Sequence, residues 1–377
     1  MGPSVTRRAL LASLGATTGT LVGCSSLTAP DRQQWSYSFE STPWSAPVVT
    51  HDTVLVLSTL DNGGRLTAIG RDSGEERWSR PVNVIGGLAF HEASGTVLAS
   101  DSETLLVGYD AVDGTQRFTT KVGEPELKHP LKITATETGF VALLPDGGLR
   151  ALNTDGSEQW RIPANVRAPL ASGTVTTVAA ERDPDNGELV ALRGFRTETG
   201  EDLFRVPSER LFRVPVEALE LLGIVVNGDS VYTATPRDGI RCLDAADGSE
   251  RWHFGHPTRH DLTTPPLVVA DAYGDTVYAG SAVRYTDRDH GTIFDVSDGR
   301  AGWEYRTETG VQAVAAGDPD SLFAVVGDSV RGLARETMTQ RWSVPLDASH
   351  LAAAGDTCYA ITTEEPRLVA VRGSDGN

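Results

Sequence analysis

Lysine is the residue this chain does almost without: Lys121, Lys128 and Lys132 are the only lysines among 33 basic residues, against 51 acidic ones, for a formal net charge of −18. So acidic a surface repels a polyanion, which excludes nucleic acid as a partner. Cysteine is scarce too, at three residues with no Cys-x-x-Cys pair. Cys242 and Cys358 sit in separate apolar strand patterns and read as buried free thiols. There is no Gly-x-Ser-x-Gly elbow, no His-Glu-x-x-His and no phosphate-binding glycine loop, which points away from an enzyme. Nor does any helical periodicity follow the first two dozen residues.

Turn chemistry is what the chain has in quantity. With 39 Gly and 20 Pro between short runs rich in Val and Thr, 377 residues read as many short strands. That length suits two or three ordinary domains or one large all-β domain. The pairing of acid excess with lysine depletion resembles proteins of extreme halophiles. In molar salt the screening length falls to about 3 Å, so such a surface no longer repels itself.

The amino terminus reads as a leader. "TRRALLASLGATTGTLVGC" carries Arg7 and Arg8, then a short apolar stretch broken by threonines, then Leu-Val-Gly-Cys ending at Cys24. The stretch is too short and polar to span a bilayer and suits a signal peptide. The paired arginines indicate the twin-arginine route. The last four residues resemble a lipoprotein processing box, with Cys24 as the lipidated residue. The expected organisation is a signal peptide at 1–23, a tether at 24–32 and a folded unit at 33–377.

The folded unit is a repeat. "AADGSERW" (245–252) has near copies along the chain, each a glycine followed four residues later by an aromatic. Gly74 leads to Trp78, Gly114 to Phe118, Gly156 to Trp160, Gly200 to Phe204, Gly248 to Trp252 and Gly299 to Trp303. Met338 takes the glycine's place before Trp342. Aromatic steps of 39 to 51 residues match one four-stranded propeller blade. Third strands are expected at Leu66, Leu106, Leu149, Leu189, Ile240, Ile293, Val330 and Leu368, eight in all. The last unit stops after its turn and lacks an outer strand, whereas "QQWSYSFE", containing Trp35, is an outer strand without a unit. The expected fold is therefore all-β: an eight-bladed β-propeller closed by amino- and carboxy-terminal strands in one blade.

Gly-x-x-x-Trp after an apolar strand of the "LxALD" type resembles the repeat of the pyrroloquinoline-quinone propellers, over nearly the whole mature chain. The resemblance implies that Trp35, Trp78, Phe118, Trp160, Phe204, Trp252, Trp303 and Trp342 are structural wedges between blades. Phe118 and Phe204 lack the indole N–H, so their joints should be looser or differently bonded. Quinoprotein dehydrogenases share this propeller. Here, however, there are no adjacent cysteines, and the spacing singles out no calcium-ligand set, so no cofactor is expected and quinone is the alternative. The lipid anchor extends the resemblance to propeller lipoproteins of the outer-membrane β-barrel assembly machinery.

One region departs from the repeat. The connections "HFGHPTRHDLTTPP" (253–266) and "SAVRYTDRDHG" (281–291) should emerge on one face of the ring, bringing His256, His260, Asp261, Asp287, Asp289 and His290 within reach of each other. Imidazole with carboxylate suits a divalent transition metal. Solvated decoration of an acidic surface is the other reading. His129 and His350 are expected as capping or channel-lining residues, and His51 and His91 receive no role. The functional expectation is an extracytoplasmic, lipid-anchored, non-catalytic scaffold whose partner is a surface or secretion protein. A metal- or small-ligand-binding protein and a quinone-dependent dehydrogenase are the alternatives.

Overall fold

The computed structural model describes residues 32–373 apart from short internal segments, the longest being 123–130, 212–222 and 256–266. The strands form eight four-stranded antiparallel sheets. Blade 1 runs through Val48–Val49, Thr53–Leu60, Gly63–Gly70 and Glu76–Val82, and blade 2 through Leu88–His91, Thr96–Ser102, Leu105–Asp110 and Gln116–Lys121. Blades 3, 4 and 5 follow with the same order and end at Ile162, Pro207 and Phe254. Blade 6 comprises Leu267–Tyr273, Thr276–Tyr285, Arg288–Ser297 and Arg300–Thr307, and blade 7 spans Val311 to Pro345. Second strands such as Thr53–Leu60 are buried almost throughout, because neighbouring blades cover both faces of the sheet. Outer strands alternate, as in Glu76–Val82, where Trp78 and Val82 are buried.

Blade 8 contains Ala348–Ala354, Thr357–Thr362 and Arg367–Arg372, and its fourth strand is Gln33–Ser38 from the other end of the chain. Trp35 lies opposite Ala370, Tyr37 opposite Leu368 and Ser38 opposite Arg367. Arg32, buried just before this strand, donates from its guanidinium to the Gly373 carbonyl (3.4 Å) and lies 5.4 Å over the Trp342 ring. Innermost strands contact their neighbours around a complete circuit, blade 8 touching blade 1. Among the described residues between blades, a single helical turn stands at Ser208–Leu211 after blade 4. Pro207 ends the strand, and Leu211 (1% exposed) anchors the turn in the core between blades 4 and 5.

The wedges follow a rule. Nε1 of Trp35, Trp78, Trp160 and Trp342 donates to the carbonyls of Arg71 (2.9 Å), Ala111 (3.1 Å), Thr197 (2.9 Å) and Gly373 (2.8 Å). Each acceptor stands three residues before the next blade's turn glycine. On its own blade the ring faces a small residue: Trp78 pairs with Ala68, Trp160 with Ala151, Trp342 with Gly332. A Cβ on Gly332 would stand 2.1 Å from Cε2 of Trp342, and one on Gly114, at φ +68°, would stand 2.5 Å from Cδ2 of Trp78. The ring thus lies between two surfaces stripped of side chain. The Phe204 joint is bonded differently. Ala245 offers the carbonyl that an indole at position 204 would cap, and Thr176 Oγ1 donates to it instead (2.6 Å).

Arginines at the tight turns tie down aspartates. Arg251 reaches Asp229 (2.9 Å) and Asp244 (2.7 Å), and its hydrogen bonds hold both carboxyls below their usual range. A depressed folded-state pKa contributes stability that is present above the unfolded value, about 4, and is lost as pH falls through the folded value. Asp229 is well exposed, so the contribution is small. Arg251→Gln should accordingly lower Tm by a few degrees at pH 7 and by nothing near pH 2. A deficit that grows on acidification would contradict this assignment.

Candidate interaction surface

In an up-and-down blade the first-to-second and third-to-fourth turns share one face of the ring, and all other connections share the opposite face. The first face carries short turns throughout, such as Arg71–Glu75. Longer connections, 122–131, 208–222 and 255–266, all run between strand ends on the second face.

On that second face blade 6 carries the longest paired strands among the described residues. Its two ten-residue strands pair without a break from Val277–Val296 to Tyr285–Arg288. Among the described residues the first strand accompanies them only to Ser281 and the fourth only to Gly291. Residues 282–285 and 288–290 therefore rise past both neighbours as a two-stranded arm. Register sets Val283 opposite His290 and Arg284 opposite Asp289 along the arm, so Asp289 and His290, expected in one ligand set, are consecutive residues of its second strand. His256, His260, Asp261 and Asp287 lie outside the described residues, as do Arg7, Arg8, Cys24 and His129. Among the described residues no group of three or more His, Cys, Asp or Glu could hold a metal ion.

Blade 6 also breaks the wedge rule. Six residues before its turn glycine stands Ile293, where blades 1, 2, 4, 5 and 7 have Ala68, Gly108, Gly194, Cys242 and Gly332, and where blade 3, one residue out of step, sets Ala151 opposite its ring. A branched side chain leaves no slot for a ring. The turn shortens to two residues, Asp298 and Gly299 at φ 49° and 71°, a tight hairpin joining Ser297 to Arg300. The outer strand then bulges at Gly302 and Trp303 opposite Asp295, whose Oδ1 accepts the Trp303 backbone N–H. Trp303, expected as a wedge, is instead 54% exposed. Met338 holds the glycine position of blade 7 at φ 50° and fills the vacated space with Tyr278, Ile293 and Tyr305. Trp252 on the other side is only half-buried: the atom nearest a Cβ on Gly299 is its Cβ, at 3.0 Å, and not its ring. Sequence reading missed this although Ile293 and Met338 announced it.

Other candidates are quieter. His91 is buried, its ring nitrogens meeting Ser94 Oγ (2.9 Å) and the Glu137 carbonyl (2.8 Å), so it fastens blade 2 to blade 3. His350 stands on the innermost strand of blade 8, where burial lowers its pKa. A cleft of about 410 Å³ between blades 4 and 5 is lined by Arg205, Arg210, Asp247 and Glu250 among others. Its charges are largely spent locally, Arg205 on Glu181 (2.7 Å) and Glu250 on Arg241. Cys242 and Cys358 are free and buried, in blades 5 and 8. Burial pushes the Cys242 thiol up to about 11 and raises that of Cys358 as well. Neither should react with a maleimide at pH 7.5 until guanidinium unfolds the chain. Labelling of Cys242 or Cys358 in the folded protein within minutes would refute the burial.

Comparison with known proteins is consistent with this ring. Among curated proteins none matches the chain. Among solved structures, BamB from Moraxella catarrhalis superposes with a TM-score of 0.61 at 14% identity, over 92% of this chain and 98% of that one. The computationally designed Ika8 protein gives 0.65 at 12% identity, over 90% and 99%. The quinohemoprotein alcohol dehydrogenase ADHIIG from Pseudomonas putida HK5 gives 0.62 at 13%, over 92% and 76%. At such identities these likenesses speak for the fold alone. The sequence profile of one family matches residues 7–166, 62–194 and 186–330, most of the chain, so this protein belongs to the repeat-propeller family described as outer membrane protein assembly factor BamB.

Proposed function

We propose that the protein is an extracytoplasmic, lipid-anchored, non-catalytic scaffold that binds another protein through the second face of the ring. The observation that carries this reading is the blade 6 arm, which extends the sheet past both neighbouring strands on the face that bears the long connections. An arm that outruns the described strands beside it is what a contact element looks like. The family name and the Moraxella catarrhalis BamB likeness favour the same reading.

A dehydrogenase reading is raised by the likeness to the Pseudomonas putida alcohol dehydrogenase. A quinone and its calcium need a converging set of oxygen ligands. The described residues do not fit that group: none of their acidic side chains converge in threes, and the two described cysteines are unpaired in separate blades. No catalytic step is derived through it.

The test is site-specific photocrosslinking from position 285 in intact cells, read by mass spectrometry. A single predominant protein adduct, lost when residues 283–289 are replaced by a two-residue turn, supports the scaffold. Adducts that survive the trimming, together with quinone-dependent dye reduction by the purified protein, would overturn it.

A further inference from the structure

The outer edge of blade 6 lies apart from the arm. Among the described residues every blade ends in an outer strand with no strand beyond it, but proline interrupts three of them, at Pro81, Pro207 and Pro345. Arg300–Thr307 has no proline and at eight residues is the longest. Its burial is the slightest too, with the first five residues all exposed. Apart from the Trp303 N–H, which Asp295 holds at the bulge, such an edge offers outward N–H and C=O groups to an extended segment. Trp303 stands out of the same strand, held there by the Asp295–backbone bond, a large amphipathic side chain of the kind that anchors interfaces. Charges along the strand are already engaged, Glu304 by Arg306 (3.0 Å) and Asp295 by the bulge. Among the described residues Arg300 has no ion-pair partner.

We infer that Arg300–Thr307 receives an extended, alternating apolar segment of a partner protein by strand addition, with Trp303 packing on its side chains and Arg300 meeting a carboxylate. A second copy of this chain fits the strand less well. The antiparallel pairing that brings both Trp303 side chains together sets Arg300 opposite Arg306 of the other copy. Like charges directly opposed disfavour pairing, and each copy carries −18 overall.

The probe is an acidic eight-residue peptide of alternating Val and Thr with two Glu, compared with the same peptide N-methylated at alternate amides. Methylation removes the donors and leaves the side chains. The expected result is saturable binding of the first peptide, hydrogen-exchange protection confined to 300–307, and at least tenfold weaker binding of the methylated one. Trp303→Ser should weaken binding tenfold or more and Ala301→Pro should abolish it, with unchanged circular dichroism. Trimming residues 283–289 should leave peptide binding intact, so this inference and the arm's role fail separately. Equal binding of both peptides, protection elsewhere, no binding at millimolar peptide, or protection of 300–307 by self-association alone would each overturn it.

Discussion

Trp160→Ala lowers the unfolding free energy by about 3–5 kcal/mol, whereas Trp303→Ala leaves it within about 0.5 kcal/mol. Both residues stand four positions after a turn glycine, and nothing in the motif separates them. Their surroundings do. Trp160 is 8% exposed, pairs with Ala151, donates to the Thr197 carbonyl and lies against Gly200 of the next blade. Truncation leaves a cavity between two blades and an uncapped buried carbonyl, and neither sheet can close the gap without bending. Trp303 lies outside its joint, which Met338, Tyr278 and Tyr305 already fill. Equilibrium urea unfolding of the two variants decides the matter. Equal losses would mean that Trp303 is a wedge after all.

Removal of residues 1–38 abolishes cooperative folding. The deletion takes away Trp35, the Arg32 contact with Trp342 and the strand that pairs with Arg367–Arg372. It exposes Leu368 and Ala370, now fully buried, and leaves a long apolar edge open to pairing with other chains. A Trp side chain alone buries about 150–250 Å², on the order of 4–6 kcal/mol at about 25 cal/mol per Å², comparable with the whole stability of many domains. The truncated protein should aggregate, and a synthetic peptide of residues 32–40 should restore monomer when added during refolding. A truncated chain that unfolds at the original temperature would count against a role for this strand in closure.

The ring was legible in the sequence because its grammar is local. Glycine at positive φ, four residues, then an aromatic marks one turn and one strand, and eight third strands against a missing outer strand implied that the ends meet. The departures were harder to see. Trp303 satisfied the motif, and only the residue across the strand decides whether a ring can lie down there. Cross-strand partners are fixed by turn length, and the blade 6 turn is shorter than the pattern suggests. The arm was visible only as a long gap between strand patterns, since its polar sequence carries no alternation to betray a strand.

Closure of the ring is tested most directly by a disulfide across its seam. Ser38 and Arg367 lie directly opposite each other in the closing blade, toward the rim and away from the core. In the Ser38→Cys/Arg367→Cys variant, expressed without residues 1–31, mild oxidation should form an intramolecular bond between these two cysteines. Cys242 and Cys358 should stay reduced in their buried sites. Because the bond closes a loop of more than 300 residues, it should add several kcal/mol to stability, about 6 in the chain-entropy estimate, and raise Tm. Failure to oxidise, or a bond formed only between molecules, would mean that the two ends of the chain do not share a blade.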